Sequence, residues 1–216
     1  MIVHKLDSTN SVLNHFIAEI RDVKTQKDTM RFRRNIERIG EILSYEMSQE
    51  LDFKNHLTQT PLGEKKIPLV SDQLVLCSVL RAGLPLHQGI LNYFDQIENA
   101  FISAYRKHSS PEAFEIKVEY LATPSLDEKI LILADPMLAT GSSLVAVQKV
   151  LEEIGSVKQF HIVSVIAAAE GIDYVSKNFP QNTHLWVATV DDDLNSKGYI
   201  VPGLGDAGDL AFGVKL

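Results

Sequence analysis

Cysteine occurs once in the 216 residues, so no internal disulfide can form, which fits a reducing compartment. That one residue, Cys77, lies inside the apolar run Leu74 to Leu80 and reads as a small buried hydrophobe, not a nucleophile. No apolar stretch reaches ~18 residues, and the segment from Met1 to Thr9 has no apolar signal-type core. A soluble, cytoplasmic protein without membrane partners is therefore expected. Positive charge is in deficit: 21 Lys and Arg face 28 Asp and Glu, a net of −7. That sign opposes a protein held on nucleic acid by its overall field. The seven histidines show no H-x-x-x-H spacing and have no cysteine partner for zinc. The run Asp191-Asp192-Asp193 reads as a solvated turn, which leaves no metal site built by the protein itself. G-x-S-x-G, G-x-x-x-x-G-K-[ST] and G-x-G-x-x-G are all missing, which argues against a serine hydrolase, a P-loop and a dinucleotide fold.

What is present suits a folded domain. The chain is 45% hydrophobic and 23% charged, enough apolar material for a sizeable core in one domain spanning 1–216. Thr25-Gln26-Lys27-Asp28 resembles a capping box with Asp in place of Glu, ahead of a helix running to about Leu51. Phe32, Ile36, Ile39, Leu43, Met47 and Leu51 fall at helical steps and form one apolar face. Arg31, Arg33, Arg34 and Arg38 surround its first half, with Glu37 and Glu41 as partners on a solvated face. Residues 1–60 are thus expected to be an N-terminal helical segment. Strands are expected at 74–80, 100–105, 130–134, 160–168 and 184–190, and helices at 85–94, 143–154 and 172–178. Residues 106–128 are polar, with a strand-like 114–121, and suggest a flap hairpin. Alternating strands and helices predict an α/β fold with a doubly wound, mainly parallel sheet, which binds ligands beyond the carboxyl ends of its strands.

Three segments at those ends carry chemistry. The apolar run Ile130 to Ala134 delivers Asp135 and the loop Thr140-Gly141-Ser142-Ser143 to a helix N-terminus. Unpaired amides and the helix dipole make such a loop a phosphate cradle, and the hydroxyls add donors. Asp135 would repel a phosphate, so it suits ligand hydroxyls or a magnesium ion. Val79-Leu80-Arg81-Ala82-Gly83-Leu84-Pro85 turns from a strand into a helix and presents Arg81, whose planar fork of donors suits a diphosphate. The tail from Gly198 to Asp209 carries four glycines and a proline in twelve residues, which predicts neither regular helix nor central strand. A tail of that composition needs partners for its backbone and is expected to wrap around something.

The loop Asp135-Pro136-Met137-Leu138-Ala139-Thr140-Gly141 resembles the phosphoribosyl-pyrophosphate (PRPP) motif of type I phosphoribosyltransferases, in the form of the uracil branch. Asp135 followed by proline instead of a second acid is shared with that branch, whereas Ser142 stands where the family more often has glycine. The Arg81 segment is similar to the branch's pyrophosphate loop. Asp191-x-x-Leu194-Asn195 with the glycine-rich tail is similar to its uracil-binding hood, here residues 191–216. The resemblance implies PRPP binding by Arg81, Arg106, Asp135, Pro136, Met137, Leu138, Ala139, Thr140, Gly141, Ser142, Ser143 and Asp206. It implies uracil binding by Val201, Gly205, Asp206 and Ala207, with Asp135, Arg81 and Asp206 as the catalytic set. The family usually follows its counterpart of Arg106 with an acid soon after, where this chain has Lys107-His108-Ser109-Ser110. The implied reaction is uracil plus PRPP giving UMP and pyrophosphate, a step of pyrimidine salvage, with magnesium bound mainly through PRPP. The family also brings GTP as an effector and assembly as a homodimer or homotetramer. A nucleotide- or RNA-binding regulator is the rival reading, opposed by Arg81, Asp135, Asp206 and the acidic charge. A purine phosphoribosyltransferase is another, for which the long hood is not expected.

Overall fold

The computed structural model describes residues 1–108 and 114–215, with 104–108 and 114–117 by their backbone alone. Before the sheet's central strands come β1 (Ile2–Lys5), α1 (Leu13–Arg21), α2 (Thr29–Ser48), β2 (Phe53–Thr60) and β3 (Gly63–Val70). Then follow β4 (Leu74–Leu80), α3 (Leu84–Leu91), β5 (Glu98–His108), β6 (Phe114–Ala122), β7 (Ile130–Ala134) and β8 (Met137–Leu138). The last third holds α4 (Ser142–Glu152), β9 (Gln159–Ala168), α5 (Ala169–Asn178) and β10 (His184–Asp191). It closes with β11 (Asp193–Leu194), β12 (Ile200–Val201) and α6 (Ala207–Phe212).

The apolar runs at β4, β7 and β9 are buried on both faces, as strands covered by helices must be. The sheet runs β1-β10-β9-β7-β4-β5-β6, parallel throughout except for the antiparallel pair of β5 with β6, and β8 extends beside β9. One face packs on α2, α3 and the tail through Phe32, Ile39, Leu86 and Ala211. The other packs on α4 and α5 through Val147, Leu151 and Val175. That is the doubly wound α/β architecture read from the alternating pattern. Cys77 is buried at 0% exposure between Ala100 and Leu133, and burial pushes its thiol up to about 12.

Several local expectations are corrected. Thr25 does not open α2: Thr25–Lys27 is a 3-10 turn held by Asp22, whose Oδ1 accepts from the Thr25 amide and hydroxyl, each at 2.8 Å. Asp28 is itself the cap, accepting from the Arg31 amide at 3.0 Å, because its side chain is short enough to serve its own helix start. At the other end α2 stops at Ser48, where bonds from Gln49, Glu50 and Leu51 tighten to i−3 spacing, so the buried Leu51 is reached by a turn. Residues 1–60 are not all helical, since Phe53–Thr60 pairs with Gly63–Val70 in a hairpin of largely exposed residues. With no buried face, that hairpin leaves no clear alternation to read. The tail does hold a helix, α6, because Asp206 caps it and only Gly208 of the tail's glycines falls inside it.

Arg34 pairs with Glu37 and Glu41 on the solvated face, but Arg33 and Arg38 do not. Arg33 donates to the Ala211 carbonyl at 2.7 Å and lies over the Phe212 ring, tying α2 to α6. Arg38 stacks on Phe16 of α1.

Candidate active site

The carboxyl ends of β4 and β7 and the tail meet around one cavity of about 560 Å³. Its wall includes Leu80 and Arg81 on one side, Asp135, Met137 and Ser143 in the middle, and Gly205 to Gly208 opposite. A recess of about 40 Å³ shares Asp135, Met137 and Ser143 with it and runs along Leu138 to Gly141, over the start of α4.

The loop after β7 is stitched to β9 from behind. The Asp135 amide donates to the Val163 carbonyl at 3.1 Å, and the Ser164 hydroxyl donates to the Asp135 carbonyl at 2.7 Å. The Pro136 carbonyl accepts from Val165 and Ile166, so Pro136 is a buried anchor and not part of the cavity wall. These bonds leave the Asp135 side chain facing the cavity, where Oδ1 accepts from the Met137 amide at 3.2 Å. Burial raises its pKa to about 6 despite that bond, which favours the carboxylate. Gly141 enters α4 at φ +77°, a conformation that a side chain would strain, and offers no side-chain cap to the first amides. Thr140 Oγ1 and Ser142 Oγ lie 2.8 Å apart, so Ser142 is engaged with Thr140 and lines neither space. The Ser142 amide reaches Thr140 Oγ1 at 3.4 Å, and a recess of hydroxyls over the first amides of a helix suits an anion.

Arg81 follows a cis Leu80–Arg81 peptide, and Leu84 with Pro85 starts α3 directly after it. Its Nη2 donates to Asp209 Oδ1 and to the Gly213 carbonyl, each at 2.7 Å. The pyrophosphate-loop candidate is thus fastened to the tail. Asp206 accepts from the Asp209 amide at 2.9 Å and lies 3.8 Å from Lys215 Nζ. Arg81 and Lys215 thus share one cavity wall with the carboxyl groups of Asp135 and Asp206.

Gly205, Asp206 and Ala207 line the cavity, but Val201 does not. It is 42% exposed and paired with Asp193 in the β11–β12 ladder. Arg106 belongs to β5, and its side chain, with those of Lys107 and His108, lies outside the described residues. Asp191 is no solvated turn: it is 8% exposed and bound by Arg21. Sequence reasoning missed Ser103, Gly208 and Lys215 in the wall. Ser103 is one polar residue within a strand, and Lys215 carries no spacing signal, so neither could be singled out. Among the described residues no group of three or more His, Cys, Asp or Glu could hold a metal.

The chain matches the family model described as uracil phosphoribosyltransferase over residues 8–214. It is 49% identical over 215 residues to a uracil phosphoribosyltransferase of Porphyromonas gingivalis, covering 100% of this chain and 99% of that one. It is 38% identical to the protein of the same name from Pyrococcus furiosus, over 91% of this chain and 84% of the relative. Among solved structures, the AQ2163 protein of Aquifex aeolicus superposes with a TM-score of 0.86 at 30% identity, each chain covered in full. A hypoxanthine phosphoribosyltransferase of Staphylococcus aureus shares the fold alone, with a TM-score of 0.51 at 15% identity, covering 86% of this chain and 84% of that one. With a match this complete, and a cavity walled by the segments that resemble the family's motifs, the chain belongs to the uracil phosphoribosyltransferase family.

Proposed function

We infer that the chain transfers the phosphoribosyl group of PRPP to uracil, giving UMP and pyrophosphate, through the cavity just described. The single observation that carries the reading is the convergence of an anion recess, an arginine and a backbone-rich tail on one cavity. Bond breaking between ribose C1 and pyrophosphate leaves an oxocarbenium-like centre, so the protein must position and stabilise charge more than move protons. In this reading the recess from Ala139 to Ser143 takes the 5′-phosphate and Asp135 the ribose hydroxyls. Arg81 and Arg106 take the diphosphate. Arg81 must then exchange Asp209 for the ligand as PRPP enters.

The donor set fits magnesium carried by the substrate: two carboxyl groups, Asp206 and Asp135, line the cavity, with no closed metal cage among the described residues. When bound, the ion would neutralise charge on the leaving diphosphate. Uracil shows an acceptor–donor–acceptor edge, which amides and carbonyls from Gly205 to Ala207 can complement. Cytosine reverses part of that edge and would leave buried groups unpaired.

The test is turnover of uracil, cytosine, adenine and hypoxanthine with magnesium PRPP. Uracil should exceed the others by about a thousandfold or more. Hypoxanthine turned over as well as uracil would overturn the assignment in favour of a purine enzyme. No turnover with any base, together with tight nucleotide or RNA binding, would favour a regulator. The same reading carries GTP as an effector and a homodimeric or homotetrameric state, checked by GTP titration of the rate and by light scattering. It also places the enzyme in the cytoplasm; among the described residues no helix is long and apolar enough to cross a membrane.

A further inference from the structure

Gly203 is held by both of its backbone groups. Its amide donates to Asp191 Oδ2 at 2.9 Å, and its carbonyl accepts from Arg21 Nη1 at 3.0 Å. Arg21 and Asp191 are themselves joined as a fork, with Nη1 to Oδ2 at 2.9 Å and Nη2 to Oδ1 at 2.7 Å. The three residues come from the last turn of α1, the end of β10 and the loop after β12. Gly203 sits at φ +59°, and a Cβ there would stand 2.1 Å from the Ile200 carbonyl. The loop therefore makes a tight turn that only glycine permits, and the ion pair grips that turn at its apex. Burial pushes the Asp191 carboxyl up, yet the Arg21 fork and the Gly203 amide outweigh it and hold it below its ordinary range. The clamp is therefore charged at neutral pH. Arg21 is absent from the cavity wall, but Gly205, two residues beyond the clamped glycine, begins the stretch that forms it.

We propose that Arg21 is a positioning residue for base recognition, fixing through Asp191 and Gly203 where the backbone of Gly205 to Ala207 stands in the cavity. This rests on the reading that those residues take the base. A hydrogen-bonding edge read by main chain tolerates little displacement, because each donor must meet its acceptor within a few tenths of an ångström. The anion recess and Asp135 hang from β7 and β9, so loosening the clamp should leave the PRPP side intact.

Arg21→Gln leaves the Asp191 carboxylate buried without its partner and can fail to fold. Two companions avoid this: Arg21→Lys keeps the charge but not the fork, and the double variant Arg21→Gln/Asp191→Asn leaves no orphaned charge. A third variant, Ala207→Val, adds bulk to the cavity wall and tests the base site directly. The expected result is a Michaelis constant for uracil raised about tenfold or more in the Arg21 variants and in Ala207→Val, with that for PRPP changed less than about twofold. If Ala207→Val shifts uracil but the Arg21 variants shift neither constant, or both alike, the clamp is merely structural and the proposal fails while the base site stands. An unchanged uracil constant in Ala207→Val overturns the base site and the proposal with it.

Discussion

Arg81 reaches Asp209 across 128 positions of sequence, Nη2 to Oδ1 at 2.7 Å, and so joins the turn after β4 to the start of α6. Arg81→Lys keeps the charge but lacks the planar fork that can hold the Gly213 carbonyl while exchanging Asp209 for a diphosphate. Turnover should fall about tenfold or more, while the Michaelis constant for PRPP changes less, because the fork matters most as charge develops on the leaving group. Steady-state kinetics decide the matter; unchanged turnover would make Arg81 a fastener of the tail and nothing more.

Thr140 holds the recess with a hydroxyl that also meets Ser142. Thr140→Val preserves shape and removes the donor, so PRPP binding should weaken by ~1.5–3 kcal/mol with the fold intact. Calorimetric titration of the variant measures this. Parent-like affinity would take Thr140 out of the phosphate site.

On the proposed reading Asp135 acts as a carboxylate, in a site that opposes its charge. Its folded pKa, raised to about 6 by burial, lies above the ordinary 3.8. The neutral form is therefore favoured by folding: that contribution is fully present below about pH 3.8 and lost as pH rises through about 6. Asp135→Asn should gain ~1–3 kcal/mol of stability at pH 7.5, with the gain vanishing near pH 4, and should lose nearly all turnover. In the parent chain, kcat/KM for PRPP should fall as pH drops through about 6. Urea unfolding at the two pH values, with no difference between the chains at either, would contradict the assignment.

At the other end of the strands, three histidines that are far apart in sequence gather around Trp186. His4 Nε2 and His184 Nδ1 lie 3.1 Å apart, and Trp186 donates to His161 Nδ1 at 3.2 Å. Burial, followed by the neighbouring His184 and His4, lowers His161 to about 3, below the ordinary 6.5, so the unfolded chain takes up the proton first. Stability from this group is fully present above pH 6.5 and lost as pH falls towards 3, by up to ~1.4 kcal/mol per pH unit. His161→Gln keeps an acceptor for Trp186 and cannot titrate, so its stability should depend less steeply on pH in that window. Trp186 is the sole tryptophan, and its fluorescence during urea unfolding reports the slope. Equal slopes in both chains would assign the acid sensitivity elsewhere.

The strands were legible because a doubly covered strand leaves an apolar run: Leu74–Leu80 and Ile130–Ala134 match the runs residue for residue. The recess was legible for a related reason, since a strand, a short hydroxyl loop and a helix lie consecutively in sequence. Features made by distant residues were not. Arg21 looks like any surface arginine at a helix end until Asp191 and Gly203 stand beside it. The hairpin at 53–70 buries no face, so it left no clear pattern, and the histidine cluster exists only because β1, β10 and β9 lie side by side.

The pairing of β1 with β10 sets an order of events during synthesis. Ile2 to Lys5 lie against His184 to Val187, so β1 finds its neighbour only after some 180 further residues. At about 5–20 residues per second that is a wait of roughly 10–40 s. Gly205 to Gly208, the far wall of the cavity, are translated later still. The strands β4, β7 and β9 and the anion recess are therefore made before the segment that completes the cavity, so the scaffold exists before the site it carries can close.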